Sequence, residues 1–285
     1  DVKGTGTAYG HVLDGEIRHV DLTYVDQNTP VVVYDKDWQN NRQRVEVNVL
    51  KKEKDTDRTL EGAVFGLYAK EDIKSETTGK VLIEADEIIE LKSTDQDGKI
   101  TFAANLPVGV AYYIKELYAP DGFVTNDEVE EFTFDYAGED QPTVTYDFTF
   151  ENQPTVVEFT KSSLTTGKEL PGCKLKVVDA EGNVVDEWTS GKEAHVIREL
   201  TVGKEYTLIE TKPADGYVTA ESVKFTIEDT ADIQKVEMKD DVTKLEISKQ
   251  DIAGKELPGA KLTILDQDGK VVESWTSTDK AHYIE

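Results

Sequence analysis

Residues 167–198 read GKELPGCKLKVVDAEGNVVDEWTSGKEAHVIR, and residues 254–285 read GKELPGAKLTILDQDGKVVESWTSTDKAHYIE. The two segments align without gaps at an offset of 87 residues, and more than half of the aligned positions are identical. Self-similarity of this kind is the sequence signature of tandem structural repeats. The chain is therefore expected to contain several copies of one folding unit.

A more distant copy lies upstream. LEGAVFGLY at 60–68 matches LPGCKLKVV at 170–178, and YYIKELYAPDGF at 112–123 matches YTLIETKPADGY at 206–217. These matches divide the chain into four predicted parts. They are the C-terminal remnant of an upstream β domain at 1–44, domain one at 45–154, domain two at 155–242, and the truncated N-terminal half of a third repeat at 243–285.

Each unit consists of short alternating runs, such as VEVNV at 45–49 and EYTLIE at 205–210, separated by turn signals such as Asp-Gly. Alternation with period two between regularly spaced turns is typical of an antiparallel sandwich. We therefore predict an all-β fold of tandem antiparallel β-sandwich domains of the Ig-like type. An insertion at 70–93 in domain one is expected to extend a hairpin, and a short helix over 83–91 is the alternative.

Composition excludes several classes of function. The formal net charge is -26, from 58 acidic and 32 basic residues, and such a field repels nucleic acid and anionic membrane surfaces. The single cysteine, Cys173, allows no intrachain disulfide. No apolar run is long enough to span a bilayer, and no phosphate-binding loop or Ser-His-Asp constellation is present. We predict no cofactor, no nucleic-acid partner and no membrane insertion of this segment.

The first strand of each of the three repeats is predicted to carry a lysine at the end of its inward-facing row of side chains. Alternate residues of a strand share one face, and apolar neighbours mark the face that points inward. The three rows are Val47, Val49 and Lys51, then Val157, Phe159 and Lys161, then Leu245, Ile247 and Lys249. Lys249 is expected to lack its partners because the chain stops at residue 285.

The last and middle strands of each domain add complementary groups by the same parity. Asn152 follows Phe148 and Phe150, and Asp240 follows Val236 and Met238. Glu116 follows Tyr112 and Ile114, and Glu210 follows Tyr206 and Leu208. Each complete domain is thus expected to point one Lys, one Glu and one Asn or Asp into its core.

Two interpretations of these buried groups remain open. The simpler one is a buried ion pair, since a lone buried charge must pair or neutralise. The other is an intramolecular isopeptide bond, in which desolvation yields a neutral lysine amine and a protonated Glu that polarises the acceptor carbonyl. Asn152 would then release ammonia and Asp240 water. Each site would react once, so the chain is not predicted to be an enzyme.

The motifs TKLEISKQDIAGKELPGAKL at 243–262, YTLIETKPADGY at 206–217 and FTFENQPT at 148–155 resemble the collagen-adhesin B-type (Cna-B) repeat of Gram-positive surface proteins and pilins. The resemblance covers about residues 45–285 and implies a prealbumin-like β-sandwich. It also implies a bond from a first-strand Lys to a last-strand Asn or Asp, assisted by a middle-strand Glu. The implied sites are Lys51, Asn152 and Glu116 in domain one and Lys161, Asp240 and Glu210 in domain two.

The N-terminal segment carries one further candidate. WQNNRQ at 38–43 resembles the last-strand ending FENQPT, and Trp38 and Asn40 share strand parity. Asn40 is therefore predicted to be the acceptor for a lysine outside this chain. The alternative is an ordinary loop asparagine.

Other chemistry-bearing residues are interpreted as scaffold. Cys173 takes the position of Ala63 and Ala260 in the other copies and is expected to be a small core residue. His195 and His282 are repeat-equivalent and lack zinc-like spacing. Asp95 and Asp97 fit a hairpin turn better than a calcium loop, so no metal site is predicted.

These features predict a structural stalk or pilin-like shaft on a Gram-positive surface, stabilised by Lys-Asn and Lys-Asp isopeptide bonds and contacting neighbouring repeats of the same chain. The expected location is extracellular and cell-wall anchored, with the signal and anchor outside this segment. One alternative is an adhesin that binds host matrix proteins or glycans, with the 70–93 insertion as its candidate surface. Another is the spacer of a wall-anchored enzyme.

Overall fold

The structure, a computed structural model, describes residues 2–3, 9–20, 25–28, 39–75 and 77–284. Strands are the regular elements of these residues, and none of them belongs to a helix. The prediction of an all-β fold is therefore confirmed. Accordingly, no helix with the length and apolar character needed to cross a membrane occurs in the described parts of the chain.

Domain one is a sandwich of two sheets. Its strands are β3 (Arg44–Glu53), β4 (Val64–Ala69), β5 (Ile73–Lys74), β6 (Val81–Ile83), β7 (Ile88–Ser93), β8 (Lys99–Phe102), β9 (Ala111–Tyr118), β10 (Val129–Thr133) and β11 (Thr143–Asn152). The three-stranded sheet has the order β11-β3-β8 and the four-stranded sheet the order β10-β9-β4-β7. The pairs within these sheets are antiparallel except that the first strand, β3, pairs with the last, β11, in parallel.

Domain two repeats this arrangement. Its strands are β12 (Val156–Ser163), β13 (Lys174–Val178), β14 (Val184–Thr189), β15 (His195–Arg198), β16 (Glu205–Lys212), β17 (Val223–Thr226) and β18 (Gln234–Asp240). The sheet orders are β15-β12-β18 and β14-β13-β16-β17, and the first and last strands, β12 and β18, again pair in parallel. The sequence repeat therefore encodes a repeat of topology.

Four strands follow in the third repeat: β19 (Leu245–Ile247), β20 (Lys261–Leu265), β21 (Val271–Thr276) and β22 (His282–Ile284). β19 pairs with β22, and β20 pairs with β21. In chain order β19, β20, β21 and β22 correspond to β12, β13, β14 and β15 of domain two. The chain forms two compact units. The first comprises Asp1–Thr155, Arg198–Val202 and Asp229–Asp232. The second comprises Val156–Ile197, Gly203–Glu228 and Ile233–Glu285.

The N-terminal segment has little regular structure where it is described. β1 (Val2–Lys3) pairs with β2 (Ile17–Arg18), and His11 forms a bridge with Arg42. The insertion at 70–93 contains a hairpin of β5 and β6 and then strand β7. The alternative of a helix over 83–91 is wrong, because Ile88–Ser93 pairs with β4 as an extended strand.

The core of domain one lies between its two sheets and is dominated by aliphatic and aromatic side chains. Its most deeply buried members include Val47, Phe65, Leu67, Tyr112, Ile114, Phe134 and Phe150. The inward-facing side chains of β3, β9 and β11 form part of this core, and each of these rows ends in a polar residue. Charged and amide groups are therefore placed against buried apolar surface.

Candidate cross-linking sites

Each candidate site is assembled from both sheets of its domain. In domain one the three-stranded sheet supplies Lys51 from β3 and Asn152 from β11, and the four-stranded sheet supplies Glu116 from β9. In the parallel ladder Lys51 lies opposite Phe150, so Asn152 is two residues further along the neighbouring strand. Because the glutamate comes from the facing sheet, the three groups meet only when the two sheets pack together.

Strand pairing gives domain two the same geometry. Lys161 on β12 lies opposite Met238 on β18, and Asp240 is again two residues further along. Glu210 lies on β16 of the facing sheet, where it pairs with Leu175. The repeat thus preserves the register of the site together with its lysine and glutamate, while Asn152 is replaced by Asp240.

Direct contacts join the three groups of domain one. Lys51 Nζ donates a hydrogen bond to Asn152 Oδ1 and lies 3.1 Å from Glu116 Oε1. Asn152 Nδ2 donates to both carboxylate oxygens of Glu116, at 3.0 Å to Oε1 and 2.9 Å to Oε2. Glu116 Oε1 therefore lies within reach of both the lysine nitrogen and the amide nitrogen.

The lysine of domain one is embedded in aromatic surface. Its side chain has no exposed area, and its Nζ lies 5.5 Å from the ring centroid of Phe65 and 5.8 Å from that of Phe150. Burial lowers the pKa of Lys51, and the charge of Glu116 opposes this shift only in part. The shift is toward the neutral amine, which is the nucleophilic form of lysine.

In domain two an acid takes the place of the amide. Lys161 Nζ forms an ion pair with Asp240 Oδ1 and lies 3.1 Å from Glu210 Oε1. Burial raises the pKa of Asp240, Lys161 opposes this shift, and Glu210 adds to it. One lysine cannot neutralise two buried carboxylates, and the raised pKa of Asp240 shifts this group toward its protonated form.

Strand parity distinguished each site residue from its neighbour. Lys51 has 0% exposure, whereas the adjacent Lys52 is half-buried and pairs with Asp57 at 3.1 Å. Asp240 has 1% exposure, whereas Asp241 is half-buried and its Oδ1 accepts from the N–H of Val242. The structure brings Lys51, Glu116 and Asn152 together, and likewise Lys161, Glu210 and Asp240 (the two predicted triplets).

The two partial sites differ from these. Asn40 is exposed and lies outside any described strand, and its Oδ1 accepts a hydrogen bond of 3.2 Å from the Asp14 N–H. The prediction of Asn40 as an inward-facing acceptor is not supported by this placement, and its parity partner Trp38 lies outside the described residues. Lys249 is half-buried just after β19, and its C=O accepts from the Leu257 N–H at 2.7 Å, as that of Lys161 does from Leu170 at 2.6 Å.

Cys173 borders the second site. The sequence alone predicted a small core residue here and did not predict this proximity. Its Sγ lies 3.7 Å from Asp240 Oδ2, and burial raises the pKa of the thiol. Cys173, Glu210 and Asp240 place donor atoms within 4.8 Å of one another, the one such buried group within the described ranges. Lys161 Nζ contacts both carboxyl groups of this cluster.

The remaining candidates take part in the scaffold. His195 stacks on Trp188 at 4.2 Å between ring centroids and its Nε2 lies 2.7 Å from Asp186 Oδ2. His282 repeats this arrangement on Trp275 at 4.3 Å. Asp95 Oδ1 accepts from the N–H groups of Asp97 and Lys99, as expected for a hairpin turn.

A search of solved structures finds similar folds. The Bacillus anthracis TIE protein has 24% identity and a TM-score of 0.47, with 86% of this chain and 44% of that chain covered. The shaft pilin SpaA from Lactobacillus rhamnosus GG has 15% identity and a TM-score of 0.31, covering 70% and 98%. A streptococcal ancillary pilin has 21% identity and a TM-score of 0.30, covering 84% and 72%. This chain thus spans less than half the length of the Bacillus anthracis structure.

A family match covers both complete domains. No curated protein matches the chain. The family described as "SpaA: Prealbumin-like fold domain" matches residues 45–151 and 155–242, which together exceed half of the chain. This match confirms the resemblance to prealbumin-like, collagen-adhesin B-type domains. The chain therefore belongs to the SpaA prealbumin-like fold domain family, with two tandem members in succession.

Proposed function

We propose that this chain is a structural shaft segment of a Gram-positive surface protein or pilin, and that an amide bond between side chains closes each complete domain. The observation that carries the proposal is the repeated convergence of Lys, Glu and Asn or Asp in a dry core. The lysine side chains are 0% and 1% exposed, and both glutamate side chains are 0% exposed. Membership of the SpaA family supports the structural role.

Such a role places the chain outside the cell, anchored to the wall through parts of the protein beyond these residues. Neighbouring repeats of the same protein would be its first partners. A net charge of -26 keeps an exposed shaft soluble. The sites react with their own domain only and once each, so the chain acts as a scaffold and turns over no substrate.

In domain one the reaction exchanges one amide for another. The lone pair of neutral Lys51 Nζ attacks Asn152 Cγ, the Nζ–Cγ bond forms, and the Cγ–Nδ2 bond breaks. Glu116 Oε1, 3.1 Å from Nζ and 3.0 Å from Nδ2, takes a proton from the attacking nitrogen and returns one to the leaving nitrogen. Ammonia departs, and the glutamate ends in its starting state.

In domain two the same steps expel water. Lys161 Nζ attacks Asp240 Cγ while the acid is protonated, and one carboxyl oxygen leaves with two hydrogens. Glu210 Oε1, 3.1 Å from Nζ, is placed to relay the proton. The raised pKa of Asp240 supports this route because a carboxylate anion resists nucleophilic attack.

A permanent ion pair explains the composition of the sites less well. Lys51 and Glu116 alone would balance their charges, yet an uncharged carboxamide contacts both of them. In domain two a second carboxyl group creates an excess of negative charge, which is costly in a low dielectric. An electrophilic carbonyl next to each buried amine is what a cross-linking site requires.

The intact mass of the purified chain tests the proposal. We expect a deficit of one ammonia plus one water relative to the sequence. Glu116→Ala should restore the ammonia and Glu210→Ala the water, because each glutamate relays the proton in its own domain. Glu131→Ala serves as the matched control, since Glu131 lies on the exposed face of β10. A wild-type mass equal to that of the sequence would exclude both bonds.

The two reactions should also respond differently to pH. In domain one the rate should rise with pH and level off below the ordinary lysine pKa of 10.5, because the lowered pKa of Lys51 yields neutral amine earlier. In domain two the rate should fall as pH rises through the raised pKa of Asp240, because the acid ionises. Peptide-resolved mass spectrometry after refolding unreacted chain at several pH values measures both. Identical profiles for the two domains would contradict these roles.

A further inference from the structure

The loop after the glutamate strand makes the same two sets of contacts in both domains. We call this the clip loop, APDGFVTN at 119–126 in domain one and PADGYVTA at 213–220 in domain two. Its glycines, Gly122 and Gly216, have φ of 87° and 85°, which residues with a Cβ rarely adopt. The turn is therefore built into the sequence of each repeat.

One end of the clip loop binds the glutamate. The Asn126 N–H donates to Glu116 Oε2 at 2.7 Å, and the Ala220 N–H donates to Glu210 Oε2 at 2.8 Å. In each case the donor lies ten residues after the glutamate. A fixed backbone donor to a buried carboxylate sets the orientation of its two oxygens.

The middle of the clip loop pairs with the chain that leaves the last strand. The Val124 N–H donates to Gln153 O at 2.9 Å, and the Val218 N–H donates to Asp241 O at 3.0 Å. Gln153 and Asp241 directly follow the acceptors Asn152 and Asp240. The same short loop therefore holds the glutamate and the residue next to the acceptor.

The backbone contact also biases which oxygen relays a proton. An oxygen that accepts an N–H bond has one of its two lone-pair sites engaged, which favours the other oxygen as the carrier of a mobile proton. Oε1 lies 3.1 Å from the lysine Nζ in both domains. In domain two Glu210 Oε1 is buried and receives no hydrogen bond of good geometry from any described residue.

We propose that the clip loop is the positioning element of the cross-linking reaction: the backbone N–H of Asn126 or Ala220 holds Oε2, so that Oε1 faces the lysine nitrogen and takes its proton. This inference rests on the proposed function. It makes residue 220 important for its backbone and not for its side chain. It also links the reaction to docking of the segment that follows the acceptor.

Amide-to-ester substitution tests this proposal. Replacing Ala220 with lactic acid in the full chain removes the N–H and keeps the side chain, and replacing Val218 with its α-hydroxy acid removes the neighbouring loop hydrogen bond. Unreacted chain is refolded from denaturant and the loss of water from domain two is timed by mass spectrometry. We expect the ester at 220 to slow the loss roughly tenfold to a hundredfold, and the ester at 218 to have a much smaller effect. Ala220→Asn, which keeps the N–H, should react at the wild-type rate.

The outcomes separate the two levels of the argument. No mass loss in the wild-type chain would overturn the proposed function itself. A wild-type rate for the ester at 220, or equal slowing by both esters, would overturn the positioning role while the cross-link stands. If the ester at 220 prevents folding, the matched esters at Asn126 and Val124, timed by ammonia loss from domain one, decide the question.

Discussion

When the wild-type chain is pulled from its two ends, neither complete domain is expected to extend by unfolding. In the Lys51→Met and Lys161→Met variants, unfolding should release the chain between the positions that the bond would join. The bonds would join residues 101 apart in domain one and 79 apart in domain two. At roughly 3.4 Å per extended residue, the variants should lengthen by about 340 Å and about 270 Å on unfolding. The wild-type chain should show neither step.

This expectation follows from where the force enters and leaves. Tension reaches domain one at the start of β3 and leaves after Asn152 at the end of β11. A bond from Lys51 to Asn152 carries that tension across the two parallel strands, and the residues between them bear none. Each domain would then resist extension through a covalent bond instead of a ladder of hydrogen bonds.

Single-molecule force spectroscopy on the chain between two handles measures these steps. Lys52→Met is the control for domain one, because Lys52 is next to the site and pairs with Asp57 on the surface. It should behave as the wild type does. Steps of about 340 Å or about 270 Å in the wild-type chain would show that the domains are not covalently closed.

Strand parity was enough to place the six residues of the two complete sites on inward faces. It works there because strands β3, β9 and β11 are long, and over most of their length more buried positions alternate with less buried ones. At Asn40, which is exposed and lies outside any described strand, the parity argument finds no support. The sequence also allowed a short helix over 83–91. In the structure, Ile88–Ser93 instead forms a strand because it pairs with β4.

Other features depend on contacts distant in sequence. The parallel pairing of β3 with β11 brings together residues that are 101 positions apart in the sequence, and no local sequence pattern predicts this pairing. The proximity of Cys173 to Asp240 and the backbone bonds of the clip loop arise from packing of the two sheets. A repeat comparison identifies Cys173 as a small core residue but cannot show which core groups it touches.

The second large expected effect is on stability, which the proposed cross-link would raise chiefly by restricting the unfolded chain. In the chain-entropy treatment used for disulfides, closing a loop of 79 residues stabilises by about 4.5 kcal/mol, and one of 101 residues by about 4.7 kcal/mol. Lys161→Met should therefore lower the unfolding temperature of domain two by roughly 20–35 °C for a domain of this size. It should also increase the denaturant dependence, because an open chain exposes more surface when it unfolds.

Removing a buried lysine changes electrostatics as well as connectivity, so variants of different charge must be compared. Lys161→Met leaves Glu210 and Asp240 without their cation, whereas Glu210→Ala removes one acid and keeps the ion pair of Lys161 with Asp240. Both variants should lack the bond. The loss of unfolding free energy that the two variants share therefore measures the cross-link, and the difference between them measures the effect of the charges. Lys235→Met, with its side chain 75% exposed, is the matched surface control. Calorimetric and denaturant unfolding at fixed pH should give a shared loss near 4.5 kcal/mol, and unfolding temperatures equal to wild type in both variants would contradict covalent closure of domain two.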